Sequence, residues 1–124
     1  MRAALLAVSA LVLGTLVSLS GGAQAADHAR TTVTIQAEGT DLSGKVLSPK
    51  PKKCVDGRKV IVVKQKGAKG GDNDTKIAMD TAEGNGDWST GNTGMTGKFY
   101  AKVKKIEGCK GDTSRTITVQ QPAR

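Results

Sequence analysis

The chain has 124 residues, with 19 Lys and Arg against 11 Asp and Glu and a formal net charge of +8. It carries two Cys, one His and three aromatics, Trp88, Phe99 and Tyr100. Such a chain makes one small domain. It offers no Ser-His or Cys-His pair for nucleophilic chemistry and no His/Cys set for a metal, so no cofactor or metal is expected.

Met1-Arg2 followed by an apolar run from Ala3 to Ser20 and by Ala23-Gln24-Ala25 reads as a signal peptide over residues 1–25, with small residues at the −3 and −1 positions of the cleavage site. The competing reading is a membrane anchor, because the run approaches spanning length. The cleavable reading is preferred: the run is rich in Ala and Ser, no basic stop-transfer residues follow, and no stable span is then left after cleavage. The expected location is secreted, extracellular. Residues 26–30 form a polar lead that holds His28, read as a solvated side chain.

Residues 31–120 read as the folded domain. Thr31 to Ala37 alternates Val33, Ile35 and Ala37 with Thr32, Thr34 and Gln36, the period of a half-buried strand. After the Glu38–Asp41 turn, Leu42 to Ser48 gives a second strand, with Gly44 marking a bulge or a close backbone approach. The two prolines of Ser48-Pro49-Lys50-Pro51-Lys52-Lys53-Cys54 are read as excluding any regular element there. Arg58 to Lys66, with Val60, Ile61, Val62 and Val63 contiguous, is a central strand buried on both faces. Gly67 to Thr75 is a loop, Thr75 to Asp80 a fourth strand, and Asp87 to Thr90 a fifth that carries Trp88. In the sixth, Lys98 to Lys105, Phe99, Ala101 and Val103 point inward and Lys98, Tyr100 and Lys102 outward. Ser114 to Gln120 is the seventh, with Ile117 and Val119 inward, and residues 121–124 are a tail.

Seven short strands between turns give an all-β fold, a seven-stranded antiparallel β-sandwich. With so few large apolar side chains, Trp88 and Phe99 are its expected core aromatics. An export signal with two cysteines points to one disulfide, Cys54–Cys109, rather than two free thiols. If consecutive strands run oppositely, the loops carrying both cysteines and the Glu83–Asp87 turn share one pole.

The run Gly86-Asp87-Trp88 to Tyr100-Ala101-Lys102-Val103, with Gly44-Lys45-Val46, Gly57-Arg58-Lys59-Val60 and Cys109-Lys110-Gly111, resembles the prealbumin-like sandwiches. These include carboxypeptidase regulatory-like domains and Cna-B-type surface repeats; the chain also resembles small secreted bacterial proteins. The resemblance implies a prealbumin-like or immunoglobulin-like fold and no particular activity. Cna-B-type domains often join a Lys to an Asn of the last strand, and Ser114 to Gln120 has no Asn to serve Lys45. The transthyretin-related hydrolases end in Tyr-Arg-Gly-Ser and use histidines, whereas this chain ends Gln121-Pro122-Ala123-Arg124.

Several constellations have competing readings. Glu83 and Asp87 share a turn and are read as turn and solubility residues rather than a catalytic pair. Asp72-Asn73-Asp74 offers oxygen ligands suited to calcium but lacks the rest of an EF-hand loop, so a solvated loop is preferred; Asn73-Asp74-Thr75 is also a glycosylation sequon. Lys50, Lys52 and Lys53 flank one cysteine, and Lys104, Lys105 and Lys110 the other. A closed bridge gathers them into a lysine-rich pole. The expected function is a non-catalytic structural or protein-interaction module whose partner is another extracellular protein. The alternative is an anionic surface polymer bound at that pole. Nucleic acid is not expected outside the cell.

Overall fold

The computed structural model describes residues 28–120, so the expected signal peptide and the tail at 121–124 lie outside the described residues. The first ribbon is broken into β1 (Thr32–Val33) and β2 (Gln36–Glu38). It is followed by β3 (Asp41–Leu47), α1 (Pro51–Cys54), β4 (Lys59–Gln65), β5 (Thr75–Thr81), β6 (Asp87–Asn92) and β7 (Gly97–Val103). The last ribbon is again broken, into β8 (Asp112–Thr113) and β9 (Ile117–Val119). Two antiparallel sheets result. In one, β3 lies between β6 and the β1/β2 ribbon; in the other the order is β5, β4, β7 and then the β8/β9 ribbon.

The fold is thus the expected antiparallel sandwich, with nine strands rather than seven because both terminal ribbons are interrupted. At the first break Thr34 still bonds β3, its N–H reaching the Lys45 carbonyl at 2.9 Å while its hydroxyl accepts the Lys45 N–H. Ile35 stays buried, but the kink leaves Ala37 exposed, against the inward position expected for it. At the second break the Ser114 hydroxyl accepts the Ala101 N–H at 2.8 Å, standing in for a ladder bond.

A second correction concerns the Pro-rich stretch. Pro51 opens one helical turn, α1, where a residue without an N–H costs nothing because first-turn donors have no intrahelical acceptor. The Lys50 carbonyl accepts the Cys54 N–H at 2.8 Å. This turn carries Cys54 inward and Lys52 and Lys53 outward.

Between the sheets, Leu42 and Val46 of β3 and Trp88 of β6 meet Val60 and Val62 of β4 and Phe99, Ala101 and Val103 of β7. Trp88 is 2% exposed and Phe99 fully buried, as expected for the core aromatics. The Trp88 Nε1–H donates to the Thr34 carbonyl at 3.2 Å. Gly44 permits that contact: a Cβ there would stand 2.0 Å from the Thr34 oxygen and 2.8 Å from Trp88 Nε1. Close approach is therefore its role, and the ladder irregularity lies one step earlier, between Leu42 and Ser43.

Each open side of the sandwich is tied by an aspartate. Asp112 of β8 accepts the Val33 N–H of β1 at 2.8 Å, and Asp80 of β5 accepts the Ser89 N–H of β6 at 2.7 Å. Both carboxylates take a backbone donor from the opposite sheet, which leaves that donor unavailable to a foreign strand.

Trp88→Ala removes the largest core side chain and is expected to cost about 3–5 kcal/mol by urea denaturation. Gly44→Ala should cost a comparable amount by forcing Thr34 and Trp88 apart; an unchanged midpoint would contradict the close-approach account.

Candidate functional site

Two local devices build the disulfide pole. Turn α1 presents Cys54, and a two-residue turn presents Cys109: the Ile106 N–H donates to the Cys109 carbonyl at 3.1 Å, and the Cys109 N–H to the Ile106 carbonyl at 3.0 Å. The cysteines are joined, with Cα atoms 5.6 Å apart and both residues fully buried. The Glu83–Asp87 turn lies at the same end, with Gly84 facing Asp56 and the Gly57 N–H donating to the Ala82 carbonyl.

Beside the bridge lies Arg58, 4% exposed, a residue whose part in the pole the sequence does not reveal. Its Nη1 donates to the Cys54 carbonyl at 2.9 Å and to the Thr31 hydroxyl at 3.3 Å. Its Nη2 donates to the Lys104 and Lys110 carbonyls at 2.7 and 2.8 Å. One guanidinium thereby ties α1, the end of β7, the Cys109 loop and the start of the first ribbon. Burial pushes its pKa below the ordinary arginine value. No carboxylate of the described residues pairs with it.

At this pole is an open cleft of about 410 Å³, whose wall includes Arg58 itself. Of the six expected pole lysines, Lys53, Lys104 and Lys105 line it, whereas Lys50, Lys52 and Lys110 do not. All six are exposed. The Lys53 stem lies across Gly108, whose absent Cβ leaves room for it. The structure adds Lys59 of β4 and Lys76 of β5, which come to the cleft through sheet pairing. The one acid on its wall is Asp56, and Ile61, Met79 and Ile106 supply apolar surface. Met79 is 46% exposed and Ile106 42%, two of the three large apolar side chains left exposed among the described residues. Ile61 and Met79 are cross-strand neighbours on the outer face of β4 and β5.

Tyr100 points outward as expected but is not wet: it is 4% exposed and packs with Ile61 and Val63 in a small cluster on that outer face. The Gly67–Asp74 loop covers it. Tyr100 donates its hydroxyl proton to Asp74 Oδ2 at 2.5 Å, and Lys69 Nζ stands 5.1 Å from the ring centroid. Asp74 also accepts the Lys66 and Gly70 N–H groups. Its oxygens thus close the loop, and the Tyr100 hydrogen bond, ahead of the backbone ones, lowers its pKa. Burial, then the Asp74 hydrogen bond, raises the Tyr100 pKa. At the other turn, Asp87 pairs with Lys45 Nζ at 2.6 Å and accepts from Asn85, so its pKa is lowered and Lys45 has an acidic partner the sequence did not reveal. Glu83 and His28 are exposed.

No protein family, curated protein or solved structure matches this chain.

Arg58→Met keeps the buried stem and removes every donor. It is expected to cost at least about 2 kcal/mol in urea denaturation, the scale of one or more charge-assisted hydrogen bonds; an unchanged midpoint would refute its role as the tie.

The only tyrosine of the chain makes the second pair easy to read. Tyr100 should ionise, by absorbance near 295 nm, above the ordinary phenol value of about 10. Asp74→Asn should bring it part of the way down, since burial remains. Because its folded-state pKa is raised, the Tyr100 contribution to stability holds below about pH 10 and is lost as pH rises through the folded value. The Asp74 contribution has the opposite sense: present above about pH 3.9, it is lost as pH falls through the lowered value.

Proposed function

We propose that the chain is an exported, non-catalytic β-sandwich that acts as a protein-interaction module through the cleft at the disulfide pole. The supporting observation is the cleft itself: five exposed lysines, Lys53, Lys59, Lys76, Lys104 and Lys105, around an apolar floor and one acid, Asp56. Lone surface lysines keep a protein soluble, but lysines converging around exposed Met79 and Ile106 make a surface with two kinds of affinity. Export is supported by the Met1–Ala25 pattern and by the buried disulfide, a bond that persists in oxidising compartments. The non-catalytic reading is supported by the engagement of Asp74 and Asp87 in structural contacts.

On the finer fold, the strand order supports the immunoglobulin-like branch of the resemblance over the prealbumin-like one. Counting each broken ribbon once, the first, second and fifth ribbons form one sheet; the third, sixth and seventh are neighbours in the other, as in immunoglobulin-type sandwiches. The fourth ribbon lies beside the third.

A second reading, an anionic polymer held at the pole, draws support from the same lysines, which make no ion pair among the described residues. One experiment separates the two. A photo-crosslinking residue at position 79, in the cleft, and another at position 36, on the opposite sheet, are exposed to the native cell surface and culture fluid. A discrete protein adduct from position 79 alone is expected, and Lys53, Lys104 and Lys105→Gln should abolish it while Lys64 and Lys66→Gln do not. Adducts with polymer only would favour the second reading, and equal adducts from both positions would remove the cleft from the proposal.

A further inference from the structure

The cleft does not stop at the pole. Ile61, Lys76 and Lys104 are shared with a second groove of about 310 Å³, which also touches Val63, Tyr100, Lys102 and Asp74, the last engaged by the Tyr100 hydroxyl. Sheet register orders this surface. Across the outer face, Ile61 stands between Met79 of β5 and Lys102 of β7, and Val63 stands between Lys76 and Tyr100. The result is a trough across β5, β4 and β7 of the five-stranded sheet: exposed Met79 and Ile106 over the buried edges of Ile61 and Val63, flanked by Lys76, Lys102 and Lys104 and closed at the pole by Lys53.

Building on the interaction-module reading, we propose that this trough takes an extended acidic polypeptide segment of a partner protein, with aliphatic side chains placed between its carboxylates. The carboxylates meet the lysines, and the aliphatic side chains rest on Met79 and Ile106. Three observations select this occupant. A purely charged polymer leaves the exposed Met79 and Ile106 uncovered. Sugars and nucleobases are held by stacking on aromatic rings, and all three aromatics of the chain are buried, at 2%, 0% and 4% exposure for Trp88, Phe99 and Tyr100. A second copy of the chain would bring like charge to like charge, because the formal net charge is +8 and the trough itself is basic.

The test uses the methionine methyls. The chain has three Met, and of these Met79 lies in the trough while Met95 packs against the sandwich core. Protein carrying carbon-13 methyl-methionine is titrated with a short capped peptide that alternates Asp or Glu with Leu. Saturable movement of the Met79 methyl with Met95 unmoved is expected. Replacing one Leu of the peptide by Gln, or Ile106 of the protein by Ser, should each weaken binding about tenfold, the effect of losing one buried aliphatic contact. Ile106 is exposed, so Ile106→Ser leaves the core intact. Raising the salt should weaken binding, and Lys76→Gln with Lys104→Gln should flatten that dependence. Equal binding of the Leu-to-Gln peptide or of dextran sulfate would overturn the proposal in favour of charge alone. No movement of Met79 at millimolar peptide would overturn the partner class. The crosslinking at positions 79 and 36 would then still decide, separately, whether the cleft binds a protein at all.

Discussion

The buried guanidinium of Arg58 holds the disulfide pole together. Thr31, Cys54 and the two ends of the Lys104–Lys110 stretch meet there with backbone carbonyls or a hydroxyl pointing inward, and one planar cation satisfies them. A cation in that position imposes its own condition. With no acidic partner among the described residues, its charge is balanced only by carbonyl dipoles, and the lysines around the pole add to the positive potential. The arrangement tolerates this because those lysines are exposed and screened over about 8 Å at physiological salt. The disulfide complements it: closing a loop of 55 positions restricts the unfolded chain by about 4 kcal/mol on chain-entropy grounds, while Arg58 fixes the geometry of the folded one.

That division of labour positions the cleft. Lys53 lies within α1, which is held by Cys54 and by the Arg58 bond to the Cys54 carbonyl; Lys104 is held through its own carbonyl, and Ile106 through the turn that presents Cys109. The cleft walls therefore come from loops, yet each loop is fastened to the same two anchors. Lys59, Lys76 and Met79 come from β4 and β5 and owe their place to sheet register instead.

The sequence made much of the sandwich legible because alternation records burial directly. Val33 and Ile35, then Phe99, Ala101 and Val103, face inward as their spacing indicates, and the contiguous Val60 to Val63 run is buried on both faces. Tyr100 defeated the same rule. Its spacing places it with the lysines, and so it is; what buries it is a loop whose Asp74 lies 26 positions away, which no local period encodes. The Pro-rich stretch departs for a different reason: proline breaks a helix interior but is favoured in the first turn, where Pro51 stands. For the candidate site, three of six lysines were placed by their nearness to cysteines. Lys59, Lys76 and Met79 stayed hidden because cross-strand pairing is a tertiary fact, and Arg58 because a charged residue at a strand start usually faces water.

The position of the Cys54–Cys109 bond also has a mechanical consequence. A pull applied at the two ends of the described chain must pass through the bond, because residues 54 to 109 form a closed covalent loop. Those 55 positions would span roughly 190 Å if drawn out, and tension cannot release that length while the bond is intact. Only the β1 to α1 segment and the short stretch from Lys110 onward can be extracted. Phe99, Tyr100, Trp88 and the strands β4 and β5 lie inside the loop, so apart from Lys53 the cleft is carried by the part of the chain that bears no stretching force along its own contour.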